Sequence, residues 1–506
     1  MRDDLTHPPP LAQGRRIPAL RVEPGQQLGK VGPLVRDRLA HLGLRHHVSS
    51  PEIIPRHAAR CHTTREIRDP ATGSGAVVGA HLPGTGGDLH DGLDISVHAA
   101  TIPGIRSRAV TSPIAPFDAD YLVDPYVVHR KLRESAPVHR VALPDGSEAW
   151  LVTREADVRS GLADPRLSID KRSSSTGYRG FALPKVFEAH LLNTDAPDHA
   201  RLRRLVAHAF TRRRIEGLQD RIQTEADRLL DGIAGREQAD LIADFAAPLP
   251  LIIINDLLGV ATADRGRFRT WTNTLLAPDP NEPQQAKQAV VGMERFIVEL
   301  VAAKRAAPVD DFLSDLIAVR DAGDALTESE LVSMAFLILW AGYQNTVEFI
   351  GKAVLALLDN PEQLAALRRT APSVSDSAVE ELLRYAHPSQ FAIRRFPTED
   401  ITIGDVRIPA GQTVLLGTAS ANRDPLFVPD PETLDLSRPD NAHLALGHGI
   451  HYCLGAPLAR LETRIALGSL LHRFPRIELA IPRDQIRWRS SFREHGLHAL
   501  PLFLGG

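Results

Sequence analysis

One loop constrains this chain more tightly than any other stretch. It reads Leu446-Gly447-His448-Gly449-Ile450-His451-Tyr452-Cys453-Leu454-Gly455 and runs straight into Ala456-Pro457-Leu458-Ala459-Arg460. A lone cysteine sits among glycines, and a helical pattern begins just beyond it. Gly447 and Gly449 permit backbone angles that other residues resist, so the turn can be tight and nearly bare of side chains. Gly455 leaves room for a flat group to lie against the following helix. Leu454 and Gly455 are expected to open that helix and to aim their amide N–H groups at the sulfur. A helix N-terminus favours negative charge, which lowers a thiol's pKa. Such a loop suits the presentation of one anionic sulfur to a metal or a flat-lying partner.

The loop resembles the haem-binding loop of the cytochrome P-450 superfamily, whose pattern is Phe-Gly-x-Gly-x-His/Arg-x-Cys-x-Gly. Gly447, Gly449, His451, Cys453 and Gly455 match, whereas Leu446 stands where the family usually has Phe. A smaller apolar residue still excludes water, but it alters the shell that tunes the iron. The resemblance implies that Cys453 is the axial ligand of haem b, iron protoporphyrin IX. A structural cysteine on a loop, or a zinc site from His448, His451 and Cys453, are the other readings of these residues. Neither needs three glycines at this spacing.

Bulk properties exclude several alternatives. The 506 residues carry a net charge of −3, which predicts no general attraction to nucleic acid or to membrane surfaces. Only two cysteines occur, Cys61 and Cys453, so a disulfide framework is excluded and a reducing cytoplasm is expected. No apolar run is long enough to span a bilayer, and Pro8-Pro9-Pro10 and Arg15-Arg16 break any signal-peptide shape.

Residues 1 to about 110 are rich in Arg, His, Pro and Gly without sustained helical or strand periodicity, so they are read as a mostly disordered extension. Because the composition changes just before Thr111, natural translation is expected to begin at Val110, with the first 109 residues a gene-prediction artefact. Residues 111–506 are read as one mainly α domain with small sheets. The pattern predicts a helix near Val127–Ser135 and a hairpin, Val138–Leu143 and Ala149–Val152, about the turn Pro144-Asp145-Gly146. Helical periodicity dominates to about residue 390. A β-rich patch follows at Ile401–Ile403, Val406–Ile408 and Thr413–Leu416, and another near Leu497–Leu504.

Three further motifs carry chemistry. Glu381 and Arg384 lie three apart on a helical stretch and share a face. The resemblance implies that they join Arg438 in a buried ionic triad that holds the segment beneath the haem, a structural role. His199 and Arg203 also share a face, four residues apart. By resemblance they bind the haem propionates together with Arg395 and His451, and Arg201, Arg204, Arg212, Arg213 and Arg214 offer a basic docking face for an acidic ferredoxin. Finally, Thr327-Glu328-Ser329-Glu330 is a capping-box start, and apolar residues continue from it to Leu358, ahead of Pro361. Gly342 costs about 1 kcal/mol inside a helix, so it is expected to have a purpose.

The family carries Ala/Gly-Gly-x-Asp/Glu-Thr at this point, where the helix bulges beside the iron, binds dioxygen and relays protons. This chain reads Ala341-Gly342-Tyr343-Gln344-Asn345-Thr346. Gln344 replaces the acid, and an amide cannot pass a proton at neutral pH. Delivery is therefore expected through water held by Asn345 and Gln344, or through a substrate hydroxyl. By resemblance, substrate contacts fall to the loop Lys171–Phe181, to Leu337 and Ala341, to Pro388–Ala392 and to Ser490-Ser491-Phe492.

The expected activity is that of a haem-thiolate monooxygenase of the actinobacterial type. It would insert one atom of dioxygen into an organic substrate, by hydroxylation or epoxidation of a secondary metabolite such as a polyketide or macrolide. Electrons would come from NAD(P)H through ferredoxin reductase and ferredoxin. A haem-thiolate catalyst that couples without inserting oxygen, and a non-catalytic haem sensor, are the competing readings.

Overall fold

The computed structural model describes residues 113–505 other than 178–184, 208–209, 277–281 and 322–325, together with three short strands nearer the N-terminus. Those strands, Thr64–Arg68, Gly75–Gly79 and Val97–His98, form a small antiparallel sheet within a unit spanning Met1–Val110. The rest of the expectation for residues 1–110 lies outside the described residues. A second unit spans Thr111–Gly506 and carries the motifs.

Its axis is the helix Glu328–Leu358, 31 residues and therefore about 46 Å long. The predicted capping box starts it. Thr327 Oγ1 accepts from the Glu330 amide at 3.2 Å, and Glu330 Oε2 accepts from the Thr327 amide at 2.7 Å. Every residue from Leu331 to Leu339 is buried, and a helix apolar all round must cross a core. Helices Pro248–Leu257, Asp376–Ala386 and Ala456–Arg473 pack against it, along with a π-helical turn at Ile242–Ala246. Each large side chain so buried contributes about 1.5–3 kcal/mol. Gly342 meets its expectation in this packing: a Cβ there would lie 3.0 Å from Ile254 Cδ1. The helix stays α-helical past Gly342, without the bulge that the resemblance implied.

The hairpin forms as expected, with Val138–Ala142 antiparallel to Glu148–Val152 and Gly146 at φ 78 in the turn. Ile401–Ile403 pairs with Val406–Ile408, also as expected. Strand Val414–Leu416 does not extend that pair. It lies parallel to Glu148–Val152, with Val414 opposite Trp150, so the early hairpin and the late strand form one sheet. Pro501–Gly505 sits between Arg476–Leu479 and Gln238–Asp240.

Glu381, Arg384 and Arg438 meet in the interior, 0, 1 and 9 % exposed. Arg384 grips the Glu381 carboxylate with two N–H groups at 2.7 and 2.8 Å, and Arg438 Nε reaches it at 3.2 Å. The remaining guanidinium N–H groups bind backbone carbonyls, Arg384 those of Pro431 and Thr433 and Arg438 that of Pro429. A buried charge is tolerable only when paired and hydrogen-bonded in this way. The network ties residues 429–438 to the helix Asp376–Ala386, just ahead of the cysteine loop.

Candidate functional site

The cysteine loop bends through Gly447 at φ 77 and Gly449 at φ 71, both in the left-handed region. A Cβ on Gly449 would also lie 3.0 Å from the Leu162 carbonyl, so conformation and space both demand glycine. The Cys453 amide donates to the Leu446 carbonyl at 2.9 Å and closes the loop. The helix begins at Ala456, two residues later than expected, with Pro457 in its first turn. Proline suits that position because its missing N–H would have no partner there. The amides aimed at the sulfur are accordingly those of Gly455 and Ala456, rather than Leu454 and Gly455. Burial raises the Cys453 pKa, and those two N–H groups with Arg203 and Arg460 oppose the rise without reversing it. A metal cation is what makes such a thiol ionise outright.

Cys453 opens into a cavity of about 310 Å³ between the loop and the long helix. On one flank stand His199, Arg203 and His451, and Arg395 stands beside His451 in an adjoining cavity. The His199 and His451 rings approach to 4.2 Å between centroids. His199 Nε2, Arg395 Nε and both ring nitrogens of His451 are buried without a hydrogen-bond partner. Burial and the cations Arg395 and Arg203 lower the His451 pKa to about 3, and burial lowers that of Arg395 to about 10. These nitrogens lack hydrogen-bond partners, the Asp195 carboxylate acting on His199 and Arg395 only by its charge, and their N–H groups form a cradle for carboxylates. That cradle, and a sulfur across the same cavity, are what a haem with two propionates requires. Among the described residues no cluster of three or more His, Cys, Asp or Glu side chains could hold a metal ion, so the zinc reading of His448, His451 and Cys453 falls.

On the opposite wall Ala341, Gly342, Asn345 and Thr346 line the cavity. Asn345 is the only exposed residue between Leu331 and Leu357. Thr346 turns its hydroxyl onto the Gly342 carbonyl at 3.1 Å. Gln344 is not brought to the site. It lies on another face of the helix and donates to Glu348 Oε1 at 2.7 Å, so it holds a carboxylate rather than cavity water.

Above this, a larger cavity of about 440 Å³ is lined by Phe336, Leu337, Trp340, Ile393 and Phe492, among others. Lys171 of the polar loop reaches it but is ion-paired to Glu188, and residues 178–181 of that loop lie outside the described residues. Gln390 is fully buried and donates to the Pro388 carbonyl at 3.0 Å, so it belongs to the wall. Ser491 accepts from the Glu494 amide at 3.1 Å and builds a turn. The expected docking face is partly neutralised: Arg201 pairs with Glu330, Arg212 with Glu216, and Arg214 with Asp310 and Asp315.

Sequence reasoning missed three carboxylates. Glu462 lines the cysteine cavity with Oε1 unpartnered, and burial pushes it up to about 8. Glu348 is 2 % exposed in the middle of the long helix. Glu494 lies on the C-terminal turn, in the wall of an adjoining cavity of about 280 Å³ that also includes Asn345 and Arg395. The available signal was a charged residue inside an apolar run, as in Val347-Glu348-Phe349, because such residues are rarely buried without a reason.

A thiolate loop, an anion cradle and a largely apolar cavity between them define a haem-thiolate protein. The sequence model of the family Cytochrome P450 matches residues 254–486. Cytochrome P450 107B1 of Saccharopolyspora erythraea is 45% identical over 395 residues, covering 76% of this chain and 96% of that protein. The 6-deoxyerythronolide B hydroxylase of the same organism is 41% identical over 394 residues, covering 76% of this chain and 97% of that one. The structure of PksS, a cytochrome P450 of the Bacillus subtilis bacillaene polyketide synthase, superposes with TM-score 0.72 at 39% identity, covering 78% of this chain and all of that one. The chain belongs to the cytochrome P450 family. It is a haem-thiolate monooxygenase that acts with dioxygen on a small organic substrate.

Proposed function

We propose that this enzyme hydroxylates or epoxidises a secondary metabolite of the polyketide or macrolide class. Haem b is the cofactor, and ferredoxin and ferredoxin reductase carry electrons to it from NAD(P)H in the cytoplasm. The carrying observation is Cys453 in one cavity with the unpartnered His199 and His451, with the unpartnered Arg395 Nε beside His451 in the adjoining cavity. In this reading Cys453 binds the iron. His199, Arg203, Arg395 and His451 hold the propionates. Gly447, Gly449 and Gly455 keep the loop narrow, and Leu446 shields the sulfur. The haem, when bound, supplies the activation of dioxygen.

The chain's own side chains do the rest. Ala341 and Gly342 leave the long helix bare where the flat group faces it, while Asn345 and Thr346 present polar atoms on that wall. Phe336, Leu337, Trp340 and Phe492 exclude water from the substrate chamber. The polyketide assignment draws on that chamber's volume and on relatives named for a macrolactone and a polyketide synthase. Among the described residues no helix is long and apolar enough to cross a membrane.

Turnover of a macrolactone panel with a surrogate ferredoxin pair under labelled dioxygen tests the assignment. One labelled oxygen per product is expected. An unlabelled product would favour coupling, and no product from any member of the panel would contradict the substrate class.

A further inference from the structure

Oxygen insertion consumes two electrons and two protons per dioxygen, one oxygen atom entering the substrate and the other leaving as water. The electrons come from the ferredoxin. The long helix, however, carries an amide at 344, and Gln344 is turned away from the cavity. Any acid must therefore reach the site from another element.

The structure provides one. Ser389, in the segment after helix Asp376–Ala386, and Glu494, on the C-terminal turn, oppose each other as an antiparallel bridge. The Gln390 amide donates to the Arg493 carbonyl at 2.8 Å, and the His495 amide to the Pro388 carbonyl at 2.9 Å, which fixes the register. The Ser389 hydroxyl lies 2.8 Å from Glu494 Oε2 and 3.3 Å from Asn345 Oδ1. Ser389 and Asn345 both line the cavity that contains Cys453. Carboxylate, hydroxyl and amide thus form a continuous line from the C-terminal turn to Asn345, the one exposed position between Leu331 and Leu357.

We propose that Glu494 is the proton donor for dioxygen activation, acting through the Ser389 hydroxyl, which Asn345 Oδ1 orients toward the cavity. The proposal rests on the monooxygenase reading above. In the transfer the Glu494 Oε2–H bond breaks and a Ser389 Oγ–H bond forms, while the proton first on Ser389 leaves into the cavity. Glu494 is recharged from solvent at its half-buried turn. Asn345 itself carries no proton, since an amide does not ionise at neutral pH.

The surroundings suit the task. Burial, and the Glu348 carboxylate on the long helix, push Glu494 up to about 7, while the Ser389 hydroxyl, Arg493 and Lys352 pull the other way. Tyr121 also faces Glu494, and Arg489 lies 3.8 Å from Glu348. Glu348 is packed so closely that a Cβ on Gly496 would fall 2.5 Å from its carboxyl carbon. Two neighbouring carboxylates cannot both ionise cheaply, so a proton is retained near neutrality.

Two oxidants separate proton donation from structural support. Hydrogen peroxide needs an acid to release water, whereas meta-chloroperbenzoic acid releases a stable carboxylate without one. With the haem-loaded full chain and guaiacol as reductant, Glu494→Gln should lower the peroxide-driven rate about tenfold or more, within the ~10²–10⁴-fold range of a positioned acid. The peracid-driven rate should stay within about twofold, because no proton donation is required of it. The wild-type peroxide-driven rate should fall as pH rises through about 7, and the variant should lose that dependence. Ser389→Ala should reproduce the defect and Ser389→Thr should rescue it.

Independently of turnover, a protonated-carboxyl infrared band that titrates near pH 7 in the wild type should be missing from Glu494→Gln, while the band of Glu462, titrating near pH 8, should remain in both. An equal fall with both oxidants, an unchanged rate, persistence of the band assigned to Glu494, or a defect confined to Glu462→Gln would overturn the proposal. Failure of the monooxygenase reading itself would show separately, as a wild-type carbon monoxide spectrum without thiolate character.

Discussion

Glu381→Gln isolates the ionic network. The substitution keeps the volume but removes the carboxylate that pairs with both Arg384 and Arg438, and it turns an amide N–H₂ toward guanidinium donors. Four contacts at 2.7–3.2 Å are affected, from Arg384 Nε and Nη2, Arg438 Nε and the Asp435 amide. Breaking a fully buried pair while leaving its partner charged costs about 3–5 kcal/mol. At about 2.1 cal/mol/K per residue, a unit of roughly 395 residues has a melting entropy near 0.8 kcal/mol/K, so the midpoint should fall by about 4–6 °C. The assay is thermal unfolding of the haem-loaded protein by circular dichroism, with Glu216→Gln as the comparison. Glu216 pairs with Arg212 on the open surface, where solvent screening leaves such a pair little effect on stability. Equal shifts for the two variants would refute the claim that the buried network holds the segment under the haem.

Gly449→Ala should cost about 1–3 kcal/mol through its positive φ and its approach to Leu162, and should lower haem occupancy as read from the Soret-to-protein absorbance ratio. Glu462, raised to about 8 from an ordinary value near 4.3, binds a proton more tightly in the folded state. Its cost is absent below about pH 4 and grows until pH passes about 8, so stability declines across that window; Glu462→Gln should flatten the decline by several kcal/mol in urea titrations at pH 5.5 and 8.5.

Much of the site was legible because its signals are local. Gly447, Gly449, Cys453 and Gly455 stand at offsets that only a tight loop explains, and Thr327 with Glu330 announces a helix start through bonds spanning three residues. Glu381 and Arg384 meet within one helical turn. What the sequence hid was set by tertiary pairing. Val414–Leu416 joins a hairpin more than 260 residues upstream, which no local pattern encodes. Ser389 meets Glu494 across 105 residues, so an acid missing from position 344 looked like an absent acid rather than a relocated one. The helix starts at Ala456 rather than Leu454, with Pro457 in its first turn, where a missing N–H costs nothing. The ion pairs on the basic face were hidden because Glu330, Asp310 and Asp315, the partners of Arg201 and Arg214, lie on elements distant in sequence.

The account stands or falls on Cys453 as an anionic sulfur ligand to haem iron. The purified protein, reduced under carbon monoxide, should show the strongly red-shifted Soret band of thiolate ligation, and Cys453→Ala should abolish that shift while His448→Ala keeps it. A wild-type band at the unshifted position, or a shift that survives Cys453→Ala, would contradict it.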